Sequence, residues 1–290
     1  MIKAKYNFLF FVYLIFTVFE FRSELPKLVF NDQLFAETQF EEISQTNNTI
    51  LDRFTPLQGY RREDVQAESF AHFLRNLPLK PAGSNVLYHN GTTKQNKNVY
   101  AAVVDLPIGK KNLHQCADAV MRLRADYLYQ QKRFDEIHFN FTNGFKVEYS
   151  KWRQGQRIVV DGNKTFWQQK TSANNSPETY WQYMETIFTY AGTLSLSKEL
   201  KTVSFNDLQI GDVLIQGGSP GHAVIVVDKA VHPFSKKWLF MLAQSYMPAQ
   251  EIQILYNPKK QNSVWFEMPI IEEIKTPEWT FNTSDLKRFQ

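Results

Sequence analysis

Four apolar runs near the C-terminus constrain this chain most. They are "DVLIQ" from Asp212, "AVIVVDKAV" from Ala223, "KWLFMLAQ" from Lys237 and "EIQILY" from Glu251. Each has the length of a strand, and β-branched or aromatic residues crowd them. Turn signals separate them, so the C-terminal third is expected to be a strand meander. Upstream the pattern changes. In "REDVQAESFAHFLRNLPLKP", Phe70, Phe73, Leu74 and Leu77 fall at helical spacing and the run stops at Pro78. After the turn in "VLYHNGTT", the segment Val99–Leu106, "VYAAVVDL", reads as a buried strand.

A second helix is expected in "NLHQCADAVMRLRADYLYQQKR". Ala117, Val120, Met121, Arg124 and Leu128 share one face, and Asn112 is placed to cap it. "IHFNFTNGFKVEYSKW" reads as a hairpin across Asn143-Gly144. "PETYWQYMETIFTYAG" starts a helix on Pro177, which ends near Tyr190 at Ala-Gly. Helices and hairpins ahead of an antiparallel meander make the fold class α+β.

The chain opens with "MIKAKYNFLFFVYLIFTVFEFRSELPK". Lys3 and Lys5 precede the apolar stretch Tyr6–Phe19, which is short for a bilayer span and has the layout of a signal peptide. "FEFRS" offers no A-x-A cleavage pattern, so residues 1–23 are a signal peptide or a retained N-terminal anchor. Residues 24–60 are polar without periodicity and read as an extended arm, leaving 61–290 as one domain. Export to the periplasm or cell envelope follows as the expected location, with membrane contact only through the N-terminal segment. Removing residues 1–23 takes away Lys3, Lys5, Arg22 and Glu20, so net charge falls from +4 to +2. Nothing in that balance, and no basic block with interleaved aromatics, points to nucleic acid.

Three chemistries compete. "GGSPG" at 217–221 fits a serine-hydrolase elbow by pattern alone. That elbow needs a helix after the Ser and an N–H on the next residue; here Pro220 has none and a strand follows. Ser219 is a turn residue. The histidines at 72, 89, 114, 138, 222 and 232 show no H-x-x-x-H or H-E-x-x-H spacing, so neither metal nor any other cofactor is expected.

The third chemistry pairs the single cysteine with a histidine. One Cys excludes an intrachain disulfide and cysteine-rich zinc sites. Cys116 falls in the first turn of its helix, where free N–H groups and the dipole lower a thiol pKa. His222 follows a Gly-rich turn and opens a rigid strand. Its ring needs an orienting partner. A hairpin closed by Val231 and Lys237 sets Val224 opposite Gln244, on the face of His222. An odd register presents Ser245 instead, so Gln244 is preferred and Ser245 is the reserve. Alone, Cys116 and His222 each have an ordinary structural explanation; together they make a nucleophile, base and orienter. Asp118, Arg122, Arg124 and Asp126 on the same helix read as a solvated or ion-paired face.

"QCADAV" followed by "GDVLIQGG…GHAVIVVD" resembles the NlpC-type branch of the papain-like cysteine peptidases. The resemblance implies a papain-like fold with a catalytic helix packed on an antiparallel sheet. It makes Cys116 the nucleophile, His222 the base and Gln244 the third member. Gln115 stands where that branch has an acidic residue, and Ala117-Asp118 where it has Ser-Gly. "FNFTNGF", "AGTLSL", "AQSYMPAQEIQIL" and "TPEW" extend a second resemblance over residues 60–290, to the exported bacterial family called domain of unknown function 4846. Together these imply a cysteine peptidase- or amidase-like hydrolase, or an acyltransferase, acting through a Cys116 thioester. The implied substrate is peptidoglycan or another peptide amide. The alternatives are an inert structural protein with a buried thiol, or a non-catalytic wall- or ligand-binding module. The module would line a groove with aromatics such as Tyr88, Trp152, Trp167, Trp181, Tyr246 and Trp265.

Overall fold

The computed structural model describes residues 48–162, 164–268 and 273–290. The expected signal or anchor at 1–23 and the stretch 24–47 lie outside the described residues. The end of the expected arm is corrected. Ile50–Arg53 forms a short helix α1, and the Thr49 hydroxyl accepts from Asp52 N–H at 3.2 Å. Ile50, Phe54 and Leu57 stand four and three residues apart, and all three are buried in the main core. Local polarity hid that periodicity.

From there the chain runs β1 (Arg61–Arg62), α2 (Phe70–Arg75), β2 (Tyr100–Val103), α3 (Cys116–Gln130), β3 (His138–Asn140), β4 (Lys146–Glu148) and α4 (Tyr149–Arg153). Next come β5 (Gln156–Asp161), β6 (Lys164–Gln169), α5 (Pro177–Tyr190), α6 (Thr193–Glu199) and β7 (Lys201–Thr202). The C-terminal third holds β8 (Val213–Gln216), β9 (His222–Val231), β10 (Trp238–Gln244), β11 (Gln253–Leu255), β12 (Trp265–Glu267), β13 (Glu273–Lys275), β14 (Thr280–Asn282) and β15 (Leu286–Arg288). The expected hairpin forms as β3 and β4 around Asn143-Gly144. The helix on Pro177 ends at Tyr190, and Ser176 caps it by accepting from Thr179 N–H. Several elements have no counterpart in the sequence reading, among them the β5–β6 ribbon and α6, which restarts directly after the Ala191-Gly192 break.

Among the described residues nine strands join one large antiparallel sheet, ordered β2-β11-β10-β9-β8-β15-β7, with β1 on β9 and β12 on β10. The fold is α+β, as expected. Alternation splits the sheet into two buried faces. Ala223, Ile225 and Val227 of β9 and Leu239, Met241 and Ala243 of β10 pack with α3 and α5. Val224, Val226, Phe240 and Leu242 face the other way, under Phe205, Ile274 and Phe281. The site lies where β8, β9 and β10 end beside the start of α3.

The β9–β10 register decides which side chain meets His222. Trp238 sits opposite Val231 and Met241 opposite Asp228, an odd register that if continued would bring Ser245 to the face of His222. A bulge then intervenes, and Leu242 pairs with Val226 and Ala243 with Ile225. Val227 is the extra residue, and one inserted residue exchanges the faces. Beyond it Gln244 falls in the expected alignment with Val224.

Candidate active site

Cys116 is the first residue of α3, and Gln115 rather than Asn112 is its cap. Asp118 reaches back from the third helical position, where its Oδ2 accepts from Gln115 N–H at 2.9 Å. Asn112 instead ties down a neighbouring loop, accepting from Ala249 N–H at 2.7 Å. The N–H of Cys116 belongs to the first helical turn, whose donors have no intrahelical partner.

Of the solvated or ion-paired face expected on this helix, the ion-paired alternative forms. Arg122 and Asp118 are buried. Arg122 pairs with Asp126 at 3.1 Å and lies over the Trp181 ring, while Arg124 stacks on Phe70, Tyr127 and Phe289. Neither arginine lines the cleft at the cysteine.

That cleft has a volume of about 510 Å³. Its walls come from Cys116 and its neighbours, from Phe188 of α5, from Gly192 to Leu194 at the start of α6, and from the 218–221 loop. Gly221 is required there: a Cβ would come within 2.5 Å of Thr193 Oγ1 and 2.6 Å of Gly218 O. Thr193 holds the loop from the other side, donating to Gly218 O at 3.2 Å. Ser219 is part of this turn and leads through Pro220 into strand β9, so no helix follows it.

The thiol is only 6% exposed and is directed at the start of β9, where the Ala223 N–H points at the sulfur. Burial, and secondly the Asp118 carboxylate, push the thiol up to about 11 against the pull of the Ala117, Ala223 and Cys116 N–H groups. The expectation of a lowered thiol pKa is therefore corrected: desolvation outweighs the helix terminus. Asp118 is itself pushed up to about 8 by burial, and its Oδ1 has no partner.

His222 occupies the first position of β9 and is 1% exposed. It is not among the residues that line the cleft. Tyr246 meets its ring edge-on at 4.8 Å, Phe281 stacks at 5.8 Å and Trp279 tilts over it at 5.5 Å. Tyr246 also lies within electrostatic range of Cys116, and its phenol pKa is raised first by burial, then by Glu278 and Cys116. Burial drives the imidazole down to about 4, against the support of Gln244. At neutral pH the resting pair is thus a thiol and a neutral imidazole.

Gln244 meets the histidine directly, with Nε2 of His222 2.9 Å from Oε1 of Gln244. Ser245, the reserve, is engaged elsewhere: its hydroxyl lies 3.0 Å from His114 O and 2.7 Å from Gln250 O. The structure therefore gathers Cys116, His222 and Gln244 at one end of the sheet. Two further residues, missed in the sequence, stand behind Gln244. Glu278 Oε2 accepts from Gln244 Nε2 at 2.6 Å and from Lys94 Nζ at 2.7 Å. Both lie in loops, where no periodicity marks them; the only signal was Glu278 within "TPEW".

The binding-module reading named six aromatics. None lines this cleft. Trp152 and Trp265 are core residues donating to Thr179 O and Thr55 O. Among the described residues no cluster of three His, Cys, Asp or Glu side chains is placed to hold a metal ion.

The model of a family described as "Domain of unknown function (4846)" matches residues 50–288. No curated protein and no solved structure matches the chain.

Proposed function

This chain belongs to the domain of unknown function 4846 family, and from its own residues we propose that it is a cysteine hydrolase or acyltransferase acting on an amide bond. The observation that carries the reading is the 2.9 Å bond between His222 Nε2 and Gln244 Oε1, at the strand end against which the Cys116 thiol packs. Nucleophile on a helix terminus, base at a strand start and orienter on the adjacent strand also support a papain-like, NlpC-type reading of the fold.

In this mechanism the sulfur attacks the amide carbonyl as its proton passes to His222 Nδ1. The Cys116 N–H helps hold the developing oxyanion. His222 then protonates the departing amine, leaving a thioester that water hydrolyses or a second amine takes over. Because burial leaves both partners neutral, proton transfer and C–S bond formation must run together.

The cleft limits the substrate. Apart from Cys116, Asp118 is the only ionisable side chain in its lining, which is otherwise small, apolar or amide-bearing. An amide flanked by uncharged groups suits it, and carboxylates near the scissile bond find no cation there. Within the proposal the substrate is a peptide amide, cell-wall peptides included where the bond is so flanked, met after export. The location rests on the N-terminal segment alone.

An intact-mass experiment tests the reading. Treatment with p-nitrophenyl acetate should release one p-nitrophenolate per chain and leave one acetyl group on Cys116. Cys116→Ala should show neither effect while keeping its melting temperature, and His222→Ala should slow acylation at least ~100-fold, the usual scale of general-base assistance. Acetylation that persists at the same rate in both variants rejects the reading.

A further inference from the structure

The turn between β13 and β14 delivers two consecutive side chains to the His222–Gln244 pair. Thr276 N–H donates to Trp279 O at 2.8 Å, and Trp279 N–H donates to Thr276 Oγ1 at 3.0 Å, which fixes both ends of the turn. Trp279 tilts over the imidazole and donates its indole N–H to Gln216 Oε1 at 2.9 Å. Gln216 is the β8 residue paired with His222. Glu278, one residue earlier, reaches Gln244 instead, and the nearly inaccessible Lys94 is tied to the same carboxylate oxygen.

This linkage has a polarity that its chemistry enforces. An ammonium only donates and a carboxylate only accepts. With Lys94 donating to the same Glu278 oxygen, Gln244 turns its NH₂ toward Glu278, which leaves its carbonyl facing His222. A carbonyl can only accept, so His222 must carry its proton on Nε2. In a neutral imidazole the lone pair then falls on Nδ1. An amide has two orientations of nearly equal shape. Here the pairing of buried Lys94 with half-buried Glu278 selects one of them.

We propose that Glu278, anchored by Lys94, is a positioning residue that fixes the Gln244 amide and through it holds His222 as the Nε2–H tautomer, keeping Nδ1 free to accept a proton. The tautomer stands independently; only the use of Nδ1 toward Cys116 rests on the cysteine chemistry proposed above.

The test reads the tautomer itself. Long-range ¹H–¹⁵N correlation spectra of the full-length protein at neutral pH, with His222→Gln used for assignment, should show one neutral form protonated on Nε2. Glu278→Ala releases the amide and leaves Lys94 as a pure donor beside it, so the Nδ1–H form should rise to a comparable population. Glu278→Gln should restore the original tautomer, since its carbonyl oxygen can accept both bonds now made by Oε2. Should the buried lysine unfold the alanine variant, the double variant Lys94→Met/Glu278→Ala removes both charges and should give the same mixture.

Acylation by p-nitrophenyl acetate, followed in the same samples, should fall in proportion to the remaining Nε2–H fraction. A wholly Nε2–H histidine in both alanine-containing variants overturns the positioning role, even where Cys116 still acylates. A tautomer shift without acylation in any sample upholds that role and rejects the cysteine chemistry instead.

Discussion

The neutral resting pair makes a sharp prediction about how Cys116 meets a disulfide probe. Its thiol is pushed up to about 11 from an ordinary 9.0. At pH 7 that reduces the thiolate from about one molecule in a hundred to about one in ten thousand. The more basic thiolate is the better nucleophile; with a Brønsted slope of ~0.4–0.5, two units return a factor of roughly 6–10. The folded protein should therefore react about 10–20-fold more slowly than the urea-unfolded chain, before any hindrance from its 6% exposure. The assay is pseudo-first-order reaction with 5,5′-dithiobis(2-nitrobenzoate) from pH 6 to 9. The rate should climb about tenfold per pH unit throughout, because thiolate is the limiting species. A fast rate that is flat from pH 6 to 8 would mean a preformed thiolate–imidazolium pair. It would refute the argument that burial outweighs the helix terminus here.

Three more outcomes follow from buried groups. Asp118 is held near 8 against an ordinary 3.8, so it costs stability as pH rises between those values; Asp118→Asn should raise the unfolding free energy read from urea denaturation by at most about 4 kcal/mol at pH 7, with the gain vanishing near pH 4. His114 and His222, lowered to about 3 and about 4 by burial, favour the fold fully above pH 6.5 and lose that contribution as pH falls. In the Asp118→Asn background, where the opposing carboxyl is gone, denaturation at pH 4.5 should show about 5 kcal/mol less stability than at pH 7.5. Ser245→Ala should cost about 1 kcal/mol in urea denaturation yet leave the His222 spectrum unchanged, whereas Gln244→Ala should change that spectrum.

The legible parts of the fold were those written in local periodicity. α3 and α5 carry an apolar stripe, and α5 also announces its start through Pro177. The β9–β10 strands were legible as runs of apolar residues, but not the bulge between them, because no residue type marks where an extra residue enters. The β5–β6 ribbon went unread although Asp161-Gly162 is a turn pair, since its strands are amphipathic only weakly and none of their residues is buried. The candidates Cys116, His222 and Gln244 were chosen from residue chemistry, strand register and family resemblance. Lys94 and Glu278 were not: a lysine and a glutamate separated by 184 residues look like surface charges until burial makes them partners.

The bulge links the site to the body of the sheet. Below it, Asp228 is inaccessible and faces the helical side, where Arg75 of α2 donates at 2.7 Å and Arg62 of β1 at 2.6 Å. That ion cluster fixes Asp228 opposite Met241 on that side, and removal of one partner from such a cluster costs several kcal/mol. Carried on without interruption, the same register would turn Ser245 toward the imidazole. A hydroxyl can donate or accept, so it would leave the histidine free to hold its proton on either nitrogen. By inserting Val227, the strand keeps its buried carboxylate on one face and still brings an amide to the other. Only the amide, polarised by Glu278, dictates which ring nitrogen is protonated. The odd residue in β9 is thus what lets the Asp228 ion cluster and the His222–Gln244–Glu278 hydrogen-bond chain share one hairpin.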